Sequence, residues 1–512
     1  MLKTVYSDAA DNASIYQQIP KLLFLFCTAI SFYWLLPFLH GLFIAPTRNV
    51  PGPLLARLTR WFEYRVVQKG DSHQEYIRLH QKHGSVVRVG PNRYSFSDPT
   101  AVKTIYELGS KFLKSDYYNP ILHPVPALQN IFAMRDPELH KARRRKVANL
   151  YTMSTMVSYE PAVDKLNRVC LRKLREFAAE DRVVDIPQFI QYYAFDVIGE
   201  ITLNHSFSMM ENTHDPTGMI ADIKIGLNTL ALNGLIPSLI PLSLLSARLF
   251  GSHNALHVLS TLTRDVVDKN RASNAKQNVI GPASFLQKLL QMEGEGRVDM
   301  SNIMDATGSN VRAGSDTTAI TLSSALYYLY TNETALGALR TEIEMLEREG
   351  RLSDPVTWSE AQSMPFLQAV LKESLRMHPA VGAMLPRVVP KGGVRLAGTY
   401  FPEGTQVGAN AWAVHYNKDI YGPDADEFKP ERWLGVKDGG GDVRDSMMMA
   451  FGAGSRTCIG KNISLLEMTK VIPQIVRNFD IVPDGDDGVM KTHTKWFVFT
   501  KWNARLKIRG GT

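Results

Sequence analysis

One cysteine of this sequence lies where it could bind a metal. Residues 451–460 read FGAGSRTCIG, and glycines let the backbone turn tightly and approach a bound group closely. Cys458 ends this loop just before a segment of helical periodicity that begins at Ile463. The amide groups at the start of a helix donate to an anion, and Arg456 adds a positive charge, so both would favour a thiolate. We interpret Cys458 as a permanently deprotonated metal ligand; the alternative is a buried structural cysteine in a glycine-rich turn.

The pattern FxxGxRxCxG in this loop resembles the haem-binding loop of the cytochrome P-450 monooxygenases. Its fixed positions are matched by Phe451, Gly454, Arg456, Cys458 and Gly460. The resemblance implies that Cys458 is the axial thiolate ligand of the iron in haem b, which is iron protoporphyrin IX. It also implies that Phe451, Arg456 and Gly460 contact this cofactor.

A second motif, AGSDTT at residues 313–318, resembles the oxygen-activating segment of the same family. It lies within Ile303 to Tyr330, a long segment of helical periodicity. The resemblance implies that Gly314 leaves room beside the iron for dioxygen, that Asp316 relays protons and that Thr317 turns its hydroxyl toward bound oxygen. Taken alone, an aspartate and a threonine in a helix would more simply form a solvated face.

Three charged residues resemble a structural network of the family. Glu373 and Arg376 are three residues apart in KESLRMHP and therefore share a helix face. Arg432, in KPERW, resembles the third member. The resemblance implies a buried network beneath the haem loop, whereas an ordinary surface pair is the alternative.

The two propionates of haem need cations or hydrogen-bond donors. His140 and Arg144, in HKARRRK, are four residues apart and resemble the family's WxxxR pair, with histidine in place of the usual tryptophan. Arg387, in LPRVV, matches a propionate-binding position, and Arg456 completes the expected set. We interpret residues 143, 145 and 146 as a solvated basic face that helps to attract an acidic reductase.

By analogy with the family, four regions are expected to line the substrate pocket. They are residues 117–132, 310–313, 381–385 and 493–496. The alternative for an aromatic or methionine side chain in any of them is simple core packing.

Helices must position most of these residues. Apolar residues recur three and four apart in long segments, as in 163–179, 361–377 and 463–479, while strand-like runs such as 86–89, 393–396 and 497–507 are few. A chain of 512 residues would allow about three domains, but no linker separates the later helices. We therefore predict one mainly α catalytic domain over residues 57–512. The resemblance implies the cytochrome P-450 fold, a helical triangular prism with a small β region.

An apolar stretch near the N-terminus is long enough to span a membrane. Residues 22–44 contain no Asp, Glu, Lys or Arg. A secretory signal and a buried core helix are the alternatives. Against the signal, Asp8 and Asp11 precede the stretch and no small-x-small cleavage site follows it. We predict a lumenal tail over 1–21, a transmembrane helix over 22–44 and a proline-rich hinge over 45–56. The distribution of Lys and Arg places the catalytic domain in the cytosol, on a single-pass protein of the endoplasmic reticulum membrane.

The composition excludes several classes of protein. Hydrophobic residues make up 45% and charged residues 21%, which excludes a mostly disordered chain and a polytopic transporter. The cysteines are Cys27, Cys170 and Cys458, too few for a disulfide scaffold. A net charge of +8 over this length does not indicate nucleic-acid binding and fits a membrane surface or an acidic partner.

The whole sequence is most similar to filamentous-fungal, pisatin-demethylase-like members of the family, which mostly oxidise small secondary metabolites. This resemblance implies a monooxygenase that inserts one oxygen atom of O2 into a small lipophilic metabolite, in a biosynthetic or detoxification pathway. Electrons would come from NADPH through cytochrome P-450 reductase, with cytochrome b5 as a second candidate partner. Two alternatives stay open: a haem-thiolate isomerase or dehydratase, and a non-enzymatic membrane haem or sterol binder. Neither needs the aspartate–threonine pair.

Overall fold

The computed structural model describes most of the chain beyond the predicted anchor. The described residues are 43–123, 125–241, 283–435 and 442–510, together with 24, 25, 28, 39, 245, 261, 263–269 and 271. The tail over 1–21 and most of the predicted transmembrane helix over 22–44 lie outside them. Among the described residues, no helix is both long enough and apolar enough to cross a membrane. Residues 45–53 form turns and irregular backbone, and the first described helix after them begins at Leu54, inside the predicted hinge.

Helices account for most of the described chain. In chain order they are Leu54–Leu58 (α1), Trp61–Lys69 (α2), Ser72–His83 (α3), Pro99–Tyr106 (α4), Pro137–Val147 (α5), Met153–Val157 (α6), Glu160–Ala179 (α7), Ile186–Leu203 (α8), Met209–Asn212 (α9), Met219–Asn233 (α10), Phe285–Gly294 (α11), Met300–Tyr330 (α12), Glu333–Arg348 (α13), Trp358–Gln362 (α14), Pro365–Met377 (α15), Ala411–His415 (α16), Lys418–Tyr421 (α17), Val443–Ser446 (α18) and Lys461–Asn478 (α19).

The strands are short and form small sheets. They are Val86–Gly90 (β1), Arg93–Phe96 (β2), Leu113–Lys114 (β3), Val184–Asp185 (β4), Arg387–Val388 (β5), Val394–Leu396 (β6), Thr399–Phe401 (β7), Gln406–Gly408 (β8), Phe479–Pro483 (β9), Lys491–Thr494 (β10), Val498–Lys501 (β11) and Asn503–Ile508 (β12). A five-stranded sheet has the order β1-β2-β8-β5-β3, with β2 and β8 parallel and the other neighbours antiparallel. The remaining described strands form the sheets β4-β12-β9, β10-β11 and β6-β7.

The longest described helix, α12, carries the AGSDTT motif through the core. Asp299 caps its start by accepting from the Asn302 amide, and the Asn302 side chain accepts in return from the Asp299 amide. At 31 residues the helix is about 47 Å long. It packs against α8 and α19, and Thr318 and Ser464 join α12 to α19 by a hydroxyl hydrogen bond of 2.8 Å. This bond fixes the motif helix to the helix that follows Cys458.

The mainly helical fold predicted from the sequence is confirmed, but some segment boundaries are wrong. The single helix predicted over 361–377 is two helices, α14 and α15, because Pro365 lacks an amide proton and starts a new helix. The strand run predicted over 497–507 divides at Trp502 into β11 and β12, which belong to different sheets. The indole of Trp502 is fully buried, so the chain turns where this side chain enters the core.

Candidate active site

The loop around Cys458 depends on a glycine for its shape. The Cys458 amide donates to the carbonyl oxygen of Phe451 at 2.8 Å and closes the loop. Gly454 has a φ of 61°, and a Cβ there would lie 1.7 Å from the carbonyl oxygen of Tyr106. Any other residue would therefore displace the loop from α4. Gly460 has an ordinary φ of −84° and directly precedes α19.

The surroundings of Cys458 decide whether its thiol keeps its proton. Its side chain is exposed, yet burial is the largest influence on the pKa of the thiol and raises it. Amide hydrogen bonds from Gly460 and Lys461, together with the charge of Arg144, act on this pKa in the opposite direction. The surroundings alone thus leave a protonated thiol, so the predicted permanent thiolate requires a bound metal cation. The ring of Phe451 lies beside the loop, 5.6 Å from the ammonium of Lys461.

The AGSDTT motif presents different residues to different sides of α12. Ala313 is exposed in the middle of this largely buried helix, and Thr317 lies one turn further on the same face. The Thr317 hydroxyl donates to the carbonyl oxygen of Ala313 at 2.7 Å. A Cβ on Gly314 would lie 3.2 Å from the side chain of Ile198 in α8. This glycine therefore lets α12 and α8 approach each other, and the expected room for dioxygen beside it stays a prediction.

Asp316 lies on the α8 side of the motif helix. Its side chain is 1% exposed, and Oδ1 accepts a hydrogen bond from Nε2 of Gln191 at 2.6 Å. Burial raises the pKa of Asp316 to about 6, although the Gln191 hydrogen bond and then Lys224 act to lower it. A carboxyl group with this pKa exchanges protons readily near neutral pH.

Five basic side chains gather close to Cys458. Burial lowers the pKa of Arg456 to about 10, and the nearby charges of Arg387 and Arg144 lower it further. Burial, followed by Arg456, Arg144 and Lys114, lowers the pKa of His140 to about 3. Among the described residues, none of these five side chains forms an ion pair with a carboxylate within 4.0 Å. The structure therefore brings together the four predicted propionate ligands; among them His140 is neutral, and the three arginines carry positive charge without such a carboxylate partner.

Lys114 is the member of this basic cluster that the sequence did not reveal. It is 5% exposed and pairs in register with Arg387 across β3 and β5. Burial, then Arg387 and Arg456, holds its pKa well below the usual range. Its ammonium lies 4.1 Å from the ring centres of both Tyr118 and Phe132. Nothing in the local sequence KFLKSDYY distinguishes Lys114 from Lys111, so the sequence offered no signal.

The basic run of α5 is only partly the solvated face that we expected. Arg145 is exposed, but Arg143 donates to the carbonyl oxygen of Gln129 at 2.8 Å. Lys146 donates to Oδ1 of Asn302 at 3.1 Å and so anchors α5 to the first turn of α12. These two side chains therefore help to position the helix that carries His140 and Arg144.

The predicted charge network is present and fully enclosed. The side chains of Glu373 and Arg376 are 0% exposed and are joined by two hydrogen bonds of 2.8 Å. Arg432 donates from Nε to Oε1 of Glu373 at 2.9 Å, and Trp433 donates to Oε2 at 2.8 Å. The Glu373 carboxylate is thus satisfied on both oxygens, as a buried charge requires.

His415 links this network to the cysteine loop, which the sequence analysis did not anticipate. Its Nδ1 lies 2.8 Å from the carbonyl oxygen of Arg376, and its Nε2 accepts from the amide of Met449 at 2.8 Å. Burial lowers the pKa of His415 to about 3, so the ring is neutral and donates from Nδ1. Through His415, the charge network therefore holds in place the segment that precedes Phe451.

Three of the four expected pocket regions meet in one apolar cluster. The ring of Trp496 stacks on that of Tyr117 and meets that of Phe132 edge to face. The ring centres are 5.8 Å apart in both pairs. Ala383 belongs to the same cluster. In the fourth region Asn310 instead accepts a hydrogen bond from the Tyr151 hydroxyl at 2.8 Å. Its side chain therefore helps to join α12 to the segment that follows α5.

The residues around Cys458 fit a haem. The sulfur of Cys458 would ligate the iron, and the arginines of the cluster would hold two propionates, whose charge would offset the repulsion among these cations. The face of α12 that carries Ala313 and Thr317 is the accessible one, as a site for a bound gas molecule requires.

Comparison with known proteins gives a consistent result. The family model described as Cytochrome P450 matches residues 50–508. The chain is 43% identical over 481 residues to a pisatin demethylase of Fusarium vanettenii, covering 93% of each chain. It is 33% identical to the cytochrome P450 monooxygenase cicH of Emericella nidulans, covering 90% of this chain and 94% of that protein. A crystal structure of a cytochrome P450 (CYP102L1) superimposes with a TM-score of 0.71 at 18% identity, covering 90% of this chain and 98% of the other. This chain therefore belongs to the cytochrome P450 family, whose members bind haem, and it is an oxidoreductase of the monooxygenase class.

Proposed function

We propose that this protein is a haem-thiolate monooxygenase of fungal secondary metabolism or detoxification, and that its substrate is a small lipophilic metabolite. The observation that carries the proposal is the arrangement at Cys458, where an accessible sulfur lies near basic side chains that lack carboxylate partners among the described residues. The substrate class is supported by the names of similar proteins, which include a demethylase of pisatin. The reaction is a hydroxylation, a demethylation or a related oxidation.

The roles of the residues follow from their positions. Haem, when bound through Cys458, supplies the activation of dioxygen and the transfer of an oxygen atom to substrate. His140, Arg144, Arg387 and Arg456 would hold its propionates. The Thr317 hydroxyl, which donates to a helix carbonyl in this structure, can rotate to donate toward the accessible face of α12. Asp316, with a pKa of about 6, would replenish that proton.

Lys114 offers a test of the propionate site that does not depend on turnover. Replacing it with methionine should make haem leave the protein about 10–100-fold faster, because a charge-assisted hydrogen bond of the cofactor is lost. The rate of haem transfer to apomyoglobin measures this loss. Lys111, which is exposed three residues earlier, gives the matched control Lys111→Met, expected to release haem at the wild-type rate. Equal rates of haem loss in the two variants would show that Lys114 does not bind the cofactor.

Dependence on reducing equivalents distinguishes the proposed activity from its rivals. The purified protein, with cytochrome P-450 reductase, NADPH and O2, should convert a substrate that shifts the spin state of the haem. An isomerase or dehydratase would give the same product without NADPH or reductase, and a non-enzymatic binder would give no product. The buried and hydrogen-bonded Asp316 beside Thr317 favours the monooxygenase, because neither rival requires a proton supply.

We also propose that the protein is held on the endoplasmic reticulum membrane by residues 22–44, with its catalytic domain in the cytosol. The support is the apolar composition of that stretch and the arginines that follow it. Removing residues 1–45 should move the protein from the membrane fraction to the soluble fraction and leave its haem spectrum unchanged. A truncated protein that sediments with membranes as completely as the full chain would contradict this assignment.

A further inference from the structure

A cavity reaches Asp316 along a side of α12 that adjoins its exposed face. Its volume is about 490 Å³, and its walls come from α8, α10, α12 and the hairpin β10-β11. The outer lining includes the exposed side chains of Lys224, Lys491, His493 and Lys501. The inner end is formed by Asp316, which is almost completely buried. The cavity therefore connects a buried acid with a solvated rim.

Two glutamine side chains form a chain of hydrogen bonds that ends at Asp316. Gln188 donates from Nε2 to Oε1 of Gln191 at 3.0 Å, and Gln191 donates from Nε2 to Oδ1 of Asp316 at 2.6 Å. The other carboxylate oxygen, Oδ2, is buried in the cavity wall and has no hydrogen-bond partner among the described residues. An unpaired buried oxygen is costly, so a water molecule in the cavity is the natural partner for Oδ2.

We propose that Gln191 is a positioning residue: by binding Oδ1 of Asp316 it turns Oδ2 toward this cavity, where the acid regains its proton. The inference rests on the proposed monooxygenase function. Each proton that Asp316 gives up toward the Thr317 side leaves a carboxylate, and a proton from bulk solvent, carried by the water of the cavity, restores the acid. No other bond is formed or broken in this step.

A glutamine suits this position because of its chemistry. Its amide neither gains nor loses a proton near neutral pH, so it fixes one carboxyl oxygen and leaves the proton on the other. A basic residue in its place would keep Asp316 ionised. The charged groups that face the cavity are Asp185 at the start of α8, Lys224 of α10, and Lys491, His493 and Lys501 of the hairpin. Of these, only Lys224 contributes to the pKa of Asp316 as an opposing charge.

The test is an infrared titration of the Asp316 carboxyl band in the haem-loaded resting protein. Asp316→Asn identifies the band by its loss. Gln191→Leu removes the hydrogen bond that lowers the pKa of Asp316, so the midpoint of the titration should rise by about 1–2 pH units. Ser323→Ala changes a side chain of the same cavity that is paired with Thr500, and it should leave the midpoint unchanged. Gln191→Asn, with a shorter amide, replaces Gln191→Leu if that variant does not fold.

Turnover with NADPH and reductase then shows whether Gln191 positions the carboxyl group of Asp316 or only packs against it. If Gln191 acts as proposed, the alkaline limb of kcat moves to higher pH together with the midpoint, kcat falls and KM does not change. An unmoved midpoint, or a moved midpoint with the wild-type pH profile, overturns the role of Gln191 and leaves the monooxygenase function intact. A wild-type protein that needs neither NADPH nor reductase refutes the proposed function, and the positioning role of Gln191 with it.

Discussion

Replacing Cys458 with alanine should abolish the thiolate-type Soret band of the reduced carbonyl complex and lower turnover by more than about 100-fold. Even the outer partners of a metal ligand cost about 10–100-fold in metal affinity or activity, so the ligand itself should cost more. The basic cluster would still attract the propionates, but the iron would lack the sulfur that tunes its chemistry. The reduced carbonyl spectrum and the oxidation rate of a bound substrate measure the two effects.

Cys170 provides the matched control. It is fully buried in α7, and burial alone raises the pKa of its thiol to about 12, so it remains a neutral packing residue. Cys170→Ala should keep the thiolate-type band and lose only some stability, because a small buried side chain is removed. A normal band in Cys458→Ala would show that this cysteine is not the axial ligand.

Replacing Glu373 with alanine should lower the free energy of unfolding by about 3–5 kcal/mol. The change would leave Arg376, which is 0% exposed, and Arg432 without their shared carboxylate. Because His415 ties Arg376 to the chain before Phe451, the same substitution should also speed the loss of haem. Urea unfolding followed by tryptophan fluorescence measures the first effect, and haem absorbance measures the second.

A surface ion pair of the same chain sets the scale for this result. Lys418 and Asp426 lie 3.7 Å apart with side chains 55% and 62% exposed. Lys418→Ala should change the free energy of unfolding by less than about 1 kcal/mol, since water already screens the pair. If Glu373→Ala were as mild as this control, the network would not support the cysteine loop as described.

The residues that bear the chemistry could be predicted because they occupy short, local motifs. Cys458 is fixed by the glycines and arginine around it, and Glu373 and Arg376 share a helix face through their spacing alone. The structure confirms that Glu373 binds Arg376 and also Arg432, which is far along the chain. A buried carboxylate needs several hydrogen-bond donors. Because the motif supplies only Arg376, other donors must come from elsewhere in the chain.

Several partners could not be predicted because nothing local marks them. Lys114 reaches the basic cluster only because β3 pairs with β5, which places it opposite Arg387. His415 is a histidine among aromatic residues in sequence, and its two hydrogen bonds come from distant segments. The effect of Pro365 on the predicted helix had a local cause, and it was missed because apolar periodicity continues across the break.

The sequence by itself determined the family and the mainly helical class, and it indicated the proposed metal ligand, since each depends on residue type and short spacing. Only the tertiary structure decided which way the motif helix faces. Helical periodicity fixes the angles between Gly314, Asp316 and Thr317, but packing against α8 and α19 sets their absolute direction. That packing turned Gly314 and Asp316 toward α8 and left Thr317 on the accessible face. The cavity that reaches Asp316 exists for the same reason, because four separate elements must meet to form its walls.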